Sequence, residues 1–171
     1  MSVTINASTT SGLVMTSDLS GVLTLQQNGV SLPNGGVAPA FSAYLSSAQT
    51  PTNSTFTKVT FDAELWDTNN NFASSRFTPT VAGYYQINSC VGYGNNNTAC
   101  LISIYKNGTE YKRGNQATIS STASTATNVS GTVYCNGSTD YIEIYIFQNT
   151  ATALTTTAAQ TYFDGCLVRG A

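Results

Sequence analysis

Three carboxylates crowd one short run, FDAELWD: Asp62, Glu64 and Asp67. Paired carboxylates hydrolyse glycosides across about 5–10 Å, and on an extended strand Asp62 and Glu64 share a face about 7 Å apart. The chain has no His, so the usual general base, neutral-pH switch and commonest metal ligand are missing. A solvated strand edge and its loop account for the same carboxylates, and no catalytic residue is assigned: the expectation is a protein that is not an enzyme. The adjoining run DTNNN offers Asp67, Asn69 and Asn71 as oxygen ligands of the kind Ca²⁺ accepts, but without the glycine and distal Glu of a calcium loop. Cys90, Cys100, Cys135 and Cys166 form no CxxC pair, which argues against zinc. Cys100 alternates in phase with Ile102 and Ile104, and Cys135 with Val133, so these read as buried thiols rather than disulfides. No metal and no cofactor is expected.

Composition narrows the partners. Charged residues are 8% of the 171 and the net charge is −2, against roughly 25% charged in an average soluble domain. The six Lys and Arg are scattered, whereas phosphate binding needs them clustered, so no nucleic acid is expected. No run approaches the 18 apolar residues of a membrane span, so no membrane insertion is expected. The opening MSVTINASTTSG has neither the basic start nor the apolar run of a secretory signal, which predicts synthesis in a cytoplasm. The Asn-X-Ser/Thr triplets at Asn53, Asn107 and Asn136 are what chance supplies in so Asn- and Thr-rich a chain.

The elements that would position these residues read as strands throughout. Residues 1–40 are poor in aromatics and carry a near-repeat, SGLVMT (11–16) and SGVLTL (20–25), followed by turn signals at Asn28-Gly29 and Pro33-Asn34-Gly35-Gly36. This is a β-arm for docking or anchoring, whose Val14, Leu23, Leu25 and Leu32 need another surface to cover them. From Phe41 to Ala171 strands recur about every ten residues: 41–47, 56–62, 72–79, 83–94, 99–108, 109–120, 127–136, 140–149 and 161–170. That spacing predicts an antiparallel sandwich or barrel. Asn107-Gly108 between alternating segments is a strong hairpin signal.

Tyr84 and Tyr85 are adjacent in FTPTVAGYYQI (77–87) and must point to opposite faces of a strand. Ile142, Ile144 and Ile146 likewise alternate with Glu143, Tyr145 and Phe147. Both faces of these strands therefore carry apolar mass. An exposed apolar patch of more than a few hundred Å² marks an interface, which predicts a homo-oligomer. The competing reading is that both tyrosines serve one subunit's core and a loop folded over it.

The run VTFDAELWDTNNNFASSRFTPTVAGYYQI (59–87) resembles the globular-head domain of the complement and tumour-necrosis-factor-like jelly rolls. The matching positions are Phe61, Asp62, Phe72, Phe77, Pro79, Gly83, Tyr84 and Tyr85. Lys106-Asn107-Gly108, the segment VSGTVYCNGSTDYIEI (129–144) and the ending TYFDGCLV (161–168) continue the likeness, with Ser138-Thr139 intruding before Asp140. The resemblance covers residues 41–171. It implies an all-β, antiparallel ten-stranded jelly-roll sandwich, assembled as a trimer about a three-fold axis and preceded here by the β-arm. Tyr84, Tyr85, Phe77, Tyr145, Phe147 and Phe163 are then the core and trimer-interface residues, with one of the two tyrosines in the core and the other facing a neighbouring subunit.

The segment SGVLTLQQNG (20–29) resembles the start of small virion proteins of tailed bacteriophages. With that likeness the expected function is a phage virion structural protein: a trimeric capsid decoration (cement) protein on the outer surface of the particle. It would dock on the major capsid protein or another virion protein through residues 1–40. The alternative is the receptor-binding tip of a head or tail fibre. There Trp66, Tyr93, Tyr105 and Tyr111 would stack on a host surface glycan, with the loop GNNNTA (94–99) bonding its hydroxyls.

Overall fold

The computed structural model describes residues 38–94, 99–118, 125–150 and 152–171, together with the backbone of five short strands in the first 37 residues. The chain divides into two compact units, Met1–Ala38 and Pro39–Ala171. Among the described residues there is no helix.

In the first unit, β1 (Thr4–Asn6), β2 (Val14–Ser17) and β3 (Leu23–Thr24) form a three-stranded antiparallel sheet. The two halves of the sequence near-repeat thus pair with each other, Thr16 opposite Thr24. β4 (Gln26–Gln27) and β5 (Val30–Ser31) pair on either side of Asn28-Gly29. Val14 and Leu23 lie on β2 and β3; Leu25 and Leu32 lie outside the described residues.

The second unit is a two-sheet sandwich. Its strands are β6 (Ala40–Tyr44), β7 (Thr57–Lys58), β8 (Ala63–Asp67), β9 (Phe72–Ala73), β10 (Arg76–Phe77), β11 (Ala82–Tyr93), β12 (Cys100–Lys106), β13 (Thr109–Ala117), β14 (Thr125–Asn136), β15 (Ile142–Gln148) and β16 (Tyr162–Gly170). One sheet runs β13-β12-β15-β10-β9, with the two-residue β7 sharing the β10 edge of β15. The other runs β14-β11-β16-β6-β8. All pairings are antiparallel, and every connection except the β9–β10 and β12–β13 hairpins crosses between the sheets. Leaving aside the short side pairing of β7, that is the ten-stranded jelly roll.

Alternation sets the core. Tyr85, Ile87 and Val91 of β11 point inward, as do Ile142, Ile144 and Ile146 of β15, Ile102 and Ile104 of β12, and Val129 and Val133 of β14. Phe41 is the hub at one end, stacked on Phe77 at 4.3 Å and Phe72 at 5.1 Å and edge-on to Phe163 at 4.8 Å. Burial of this kind contributes about 1.5–3 kcal/mol per large side chain.

The sequence reading names no strand over β8 (Ala63–Asp67), and it differs from the structure in two further places. The stretch read as one strand over 56–62 is a crossover: Lys58 pairs with Tyr145 in one sheet, and from Ala63 the chain pairs with β6 in the other. The stretch read as one strand over 72–79 is a tight hairpin. Phe72 stands opposite Phe77, and Ser74 and Ser75 form the turn at φ of 52° and 58°. Two consecutive left-handed residues are what a two-residue hairpin turn needs, and Asn or Gly ordinarily supplies them. The other such turn, at Asn107 (φ 52°) and Gly108 (φ 77°), carries the expected pair.

Candidate assembly surface

Asp62, Asp67 and Asn71 are held in structural hydrogen bonds. Asp67 accepts the backbone N–H of Asn69 (3.2 Å) and of Phe72 (2.7 Å), and Asn71 accepts from the backbone of Thr80 (3.2 Å). The DTNNN loop is thus closed by its own side chains. Asp62 accepts from the Ser46 backbone N–H at 2.6 Å, and hydrogen bonds from Ser47 and Ser46 hold its carboxyl below the usual value, the wrong direction for a general acid. Glu64 is exposed. The four cysteines are free; burial pushes Cys100 and Cys135 to about 11, which keeps both as thiols at neutral pH. Among the described residues no cluster of three or more His, Cys, Asp or Glu could hold a metal.

Among the described residues, Glu143 is a buried carboxylate on the outer face of the β12–β15 sheet. Lys58 (2.7 Å) and Arg76 (2.9 Å) both pair with it, and Arg76 lies 3.7 Å over the Tyr141 ring. On the same face Tyr145 stacks on Tyr105 at 4.0 Å, and Phe56 from the preceding loop covers Phe147 (5.6 Å) and Tyr105 (6.2 Å). Phe147 is therefore half-buried beneath Phe56, and Tyr145 is half-buried against Tyr105.

The proposed sugar platform is not assembled. Tyr93 is fully buried, its hydroxyl donating to the Leu101 carbonyl at 2.9 Å and lying 2.9 Å from Thr127 Oγ1. It cannot stack on a ligand, because its strand position turns it into the core. Tyr105 is capped by Tyr145, while Trp66 and Tyr111 are exposed on strands of different sheets. Residues 95–98 of the Asn-rich loop lie outside the described residues.

The opposite face of the molecule is different. Gly83, the second residue of β11, lies where a Cβ would overlap the Arg169 carbonyl of β16, so the close approach of the two strands there needs glycine. A register shift against β16 follows at Tyr84 and Tyr85. Tyr85 turns inward and is fully buried, its hydroxyl donating to the Val81 carbonyl at 2.7 Å. Tyr84 turns outward, 44% exposed, and meets Tyr134 of β14 directly opposite, 40% exposed, with ring centroids 5.3 Å apart. With Val168, Arg169, Gly170 and Ala171, these tyrosines line a groove of about 690 Å³. Phe77 and Phe163 lie in the core.

Beside the tyrosines the face becomes polar and hydrogen-bonded. One row runs Ser130–Asn88–Asp164–Ser42–Trp66 straight across β14, β11, β16, β6 and β8. Ser130 donates to Asn88 (2.8 Å), Gln86 donates to Ser130 (2.9 Å), Thr132 donates to Gln86 (3.2 Å), and Ser42 donates to Asp164 (2.6 Å). Sequence reasoning named Tyr84 but missed Tyr134 and this polar row. Register alone reveals both, since Tyr134 lies fifty residues on from Tyr84 and nothing local links them.

This architecture defines the class: the two-sheet jelly roll of tumour-necrosis-factor and complement globular-head domains. Murine APRIL at pH 8.0 superposes with a TM-score of 0.63 at 12% identity, over 77% of this chain and 100% of that one. The globular domain of zebrafish complement 1qA gives 0.59 at 17% identity, over 78% and 99%. Eiger TNF from S. frugiperda gives 0.57 at 8% identity, over 79% and 94%. At these identities the likeness is one of fold. No protein-family model matches the chain, and no curated protein matches it.

Proposed function

We propose that the chain is a non-catalytic structural protein of a bacteriophage virion. It forms a trimeric capsid decoration (cement) protein whose N-terminal unit docks on the major capsid protein or another virion protein and whose jelly roll is displayed on the particle's outer surface. The observation that carries the self-assembly is the outward Tyr84–Tyr134 pair with Val168 (55% exposed), on the sheet face that no loop covers among the described residues. A pair of aromatic rings left wet costs hydrophobic free energy that a second copy recovers. The three-fold arrangement comes from the jelly-roll resemblance of residues 41–171, and the virion role from the resemblance of residues 20–29. The scarcity of charge fits a surface that is covered by other protein.

The test has two parts. Full-length protein in sedimentation equilibrium gives the mass of three chains, and deletion of residues 1–36 leaves a trimer that no longer decorates particles. A truncated chain that still binds capsids overturns the docking role of the arm. Exposed Trp66 (49%) supports the second reading, a receptor-binding fibre tip; specific binding of the isolated protein to a host glycan would favour it over decoration.

A further inference from the structure

The polar row across the five-stranded sheet holds a carboxylate without a cation. Asp164 stands on β16 between Asn88 of β11 and Ser42 of β6. Ser42, itself buried, donates to it at 2.6 Å. The ionisable groups facing it are phenols and thiols: Tyr162 and Cys166 two residues away on its own strand, Cys90 on β11 and Tyr44 on β6. None is a base that can carry positive charge. Asn88 is four residues from Tyr84, about 13 Å along the strand, so a copy seated on the Tyr84–Tyr134 pair extends over Asp164.

Covering an ionised carboxylate without a counter-charge costs several kcal/mol, and such a group takes up a proton instead. One cation shares the face: Arg169 lines the Tyr84–Tyr134 groove, opposite Tyr84 and five residues along β16 from Asp164. Lys58 and Arg76 are paired with Glu143, Lys106 with Asp140 and Arg113 with Glu110, which leaves Lys112 and Arg169 outside the ion pairs of the described residues. We propose that association of copies through this face is coupled to proton uptake by Asp164, so that the assembly tightens as pH falls and loosens as pH rises. This rests on the self-assembly reading above. Burial already raises the Asp164 carboxyl above its usual value in the single chain, against the opposing hydrogen bond from Ser42, and a covering copy removes more water.

Sedimentation equilibrium of the full chain between pH 4.5 and 8 at fixed ionic strength, with Asp164→Asn beside the wild type, tests this. With one proton per copy in a trimer, the concentration of half-assembly falls by up to about 30-fold per pH unit on acidification. Asp164→Asn keeps the oxygen that accepts from Ser42, and a thermal melt checks that it folds. It is expected to assemble at pH 8 as the wild type does in acid, with the pH dependence gone. Equal behaviour of the two proteins at every pH overturns the proton coupling while leaving self-assembly in place. Weaker assembly of Asp164→Asn also overturns it, since a partner's cation would then be pairing with the carboxylate. A chain that stays single at every pH overturns the self-assembly reading, and the coupling with it.

Discussion

Asp140 and Asp164 carry the same side chain and answer acid in opposite ways. Asp140 is buried and ties two turns together, accepting from Asn107 Nδ2 (2.7 Å) and the Asn136 backbone (3.0 Å) and pairing with Lys106 (2.9 Å). The Asn107 and Lys106 bonds hold its carboxyl below 3.8, so its contribution is present above that value and is lost as pH falls through the lower folded one. Asp164 is raised by burial, so its contribution is fully present below 3.8 and is lost as pH rises through the higher folded value. In urea unfolding at neutral pH, Asp140→Ala is expected to lose about 1–3 kcal/mol, the cost of orphaning its donors. At concentrations where the chains are single, Asp164→Asn is expected to be more stable than the wild type at neutral pH and to lose that advantage in acid. The adjacent tyrosines divide in the same manner. Tyr85→Phe removes the bond to the Val81 carbonyl and is expected to cost about 1 kcal/mol. Tyr84→Ser is expected to leave the melting temperature of the single chain within a few degrees of wild type, because its ring is half in water.

Among elements, those written in two-residue alternation were legible in the sequence. β11, β12, β14, β15 and β16 fall where Tyr85-Ile87, Ile102-Ile104, Val129-Val133, Ile142-Ile146 and Phe163 announce an inward face. What the sequence concealed has local causes. Ser74-Ser75 makes a left-handed hairpin turn from residues that do not advertise one, and so two strands read as one. At Ser74, which is exposed, Asn suits the left-handed conformation better than Ser. Ser74→Asn is accordingly expected to raise stability by up to about 1 kcal/mol in urea unfolding. The crossover at 59–62 hides because Val59 and Phe61 are both buried while the chain passes between sheets, so alternation continues without a ladder. The candidate site was half legible for a related reason. Tyr84 declares itself beside Tyr85, whereas Tyr134 and Asp164 join it only through register with β14 and β16.

At the scale of the whole molecule the two sheets have different outer faces. On one, Phe56 covers Tyr105 and Phe147, and Lys58 and Arg76 pair with Glu143. The other presents two tyrosines, a valine and a polar row around a single carboxylate. Copies arranged about a three-fold axis meet through unlike surfaces, so this face would pack on a different part of the next chain and the ring would close. The most direct measurement is sedimentation equilibrium of full-length wild type and Tyr84→Ser at micromolar concentration and mildly acidic pH. The account predicts the mass of three chains for the wild type and of one for a folded Tyr84→Ser. A wild type that sediments as one chain there contradicts it.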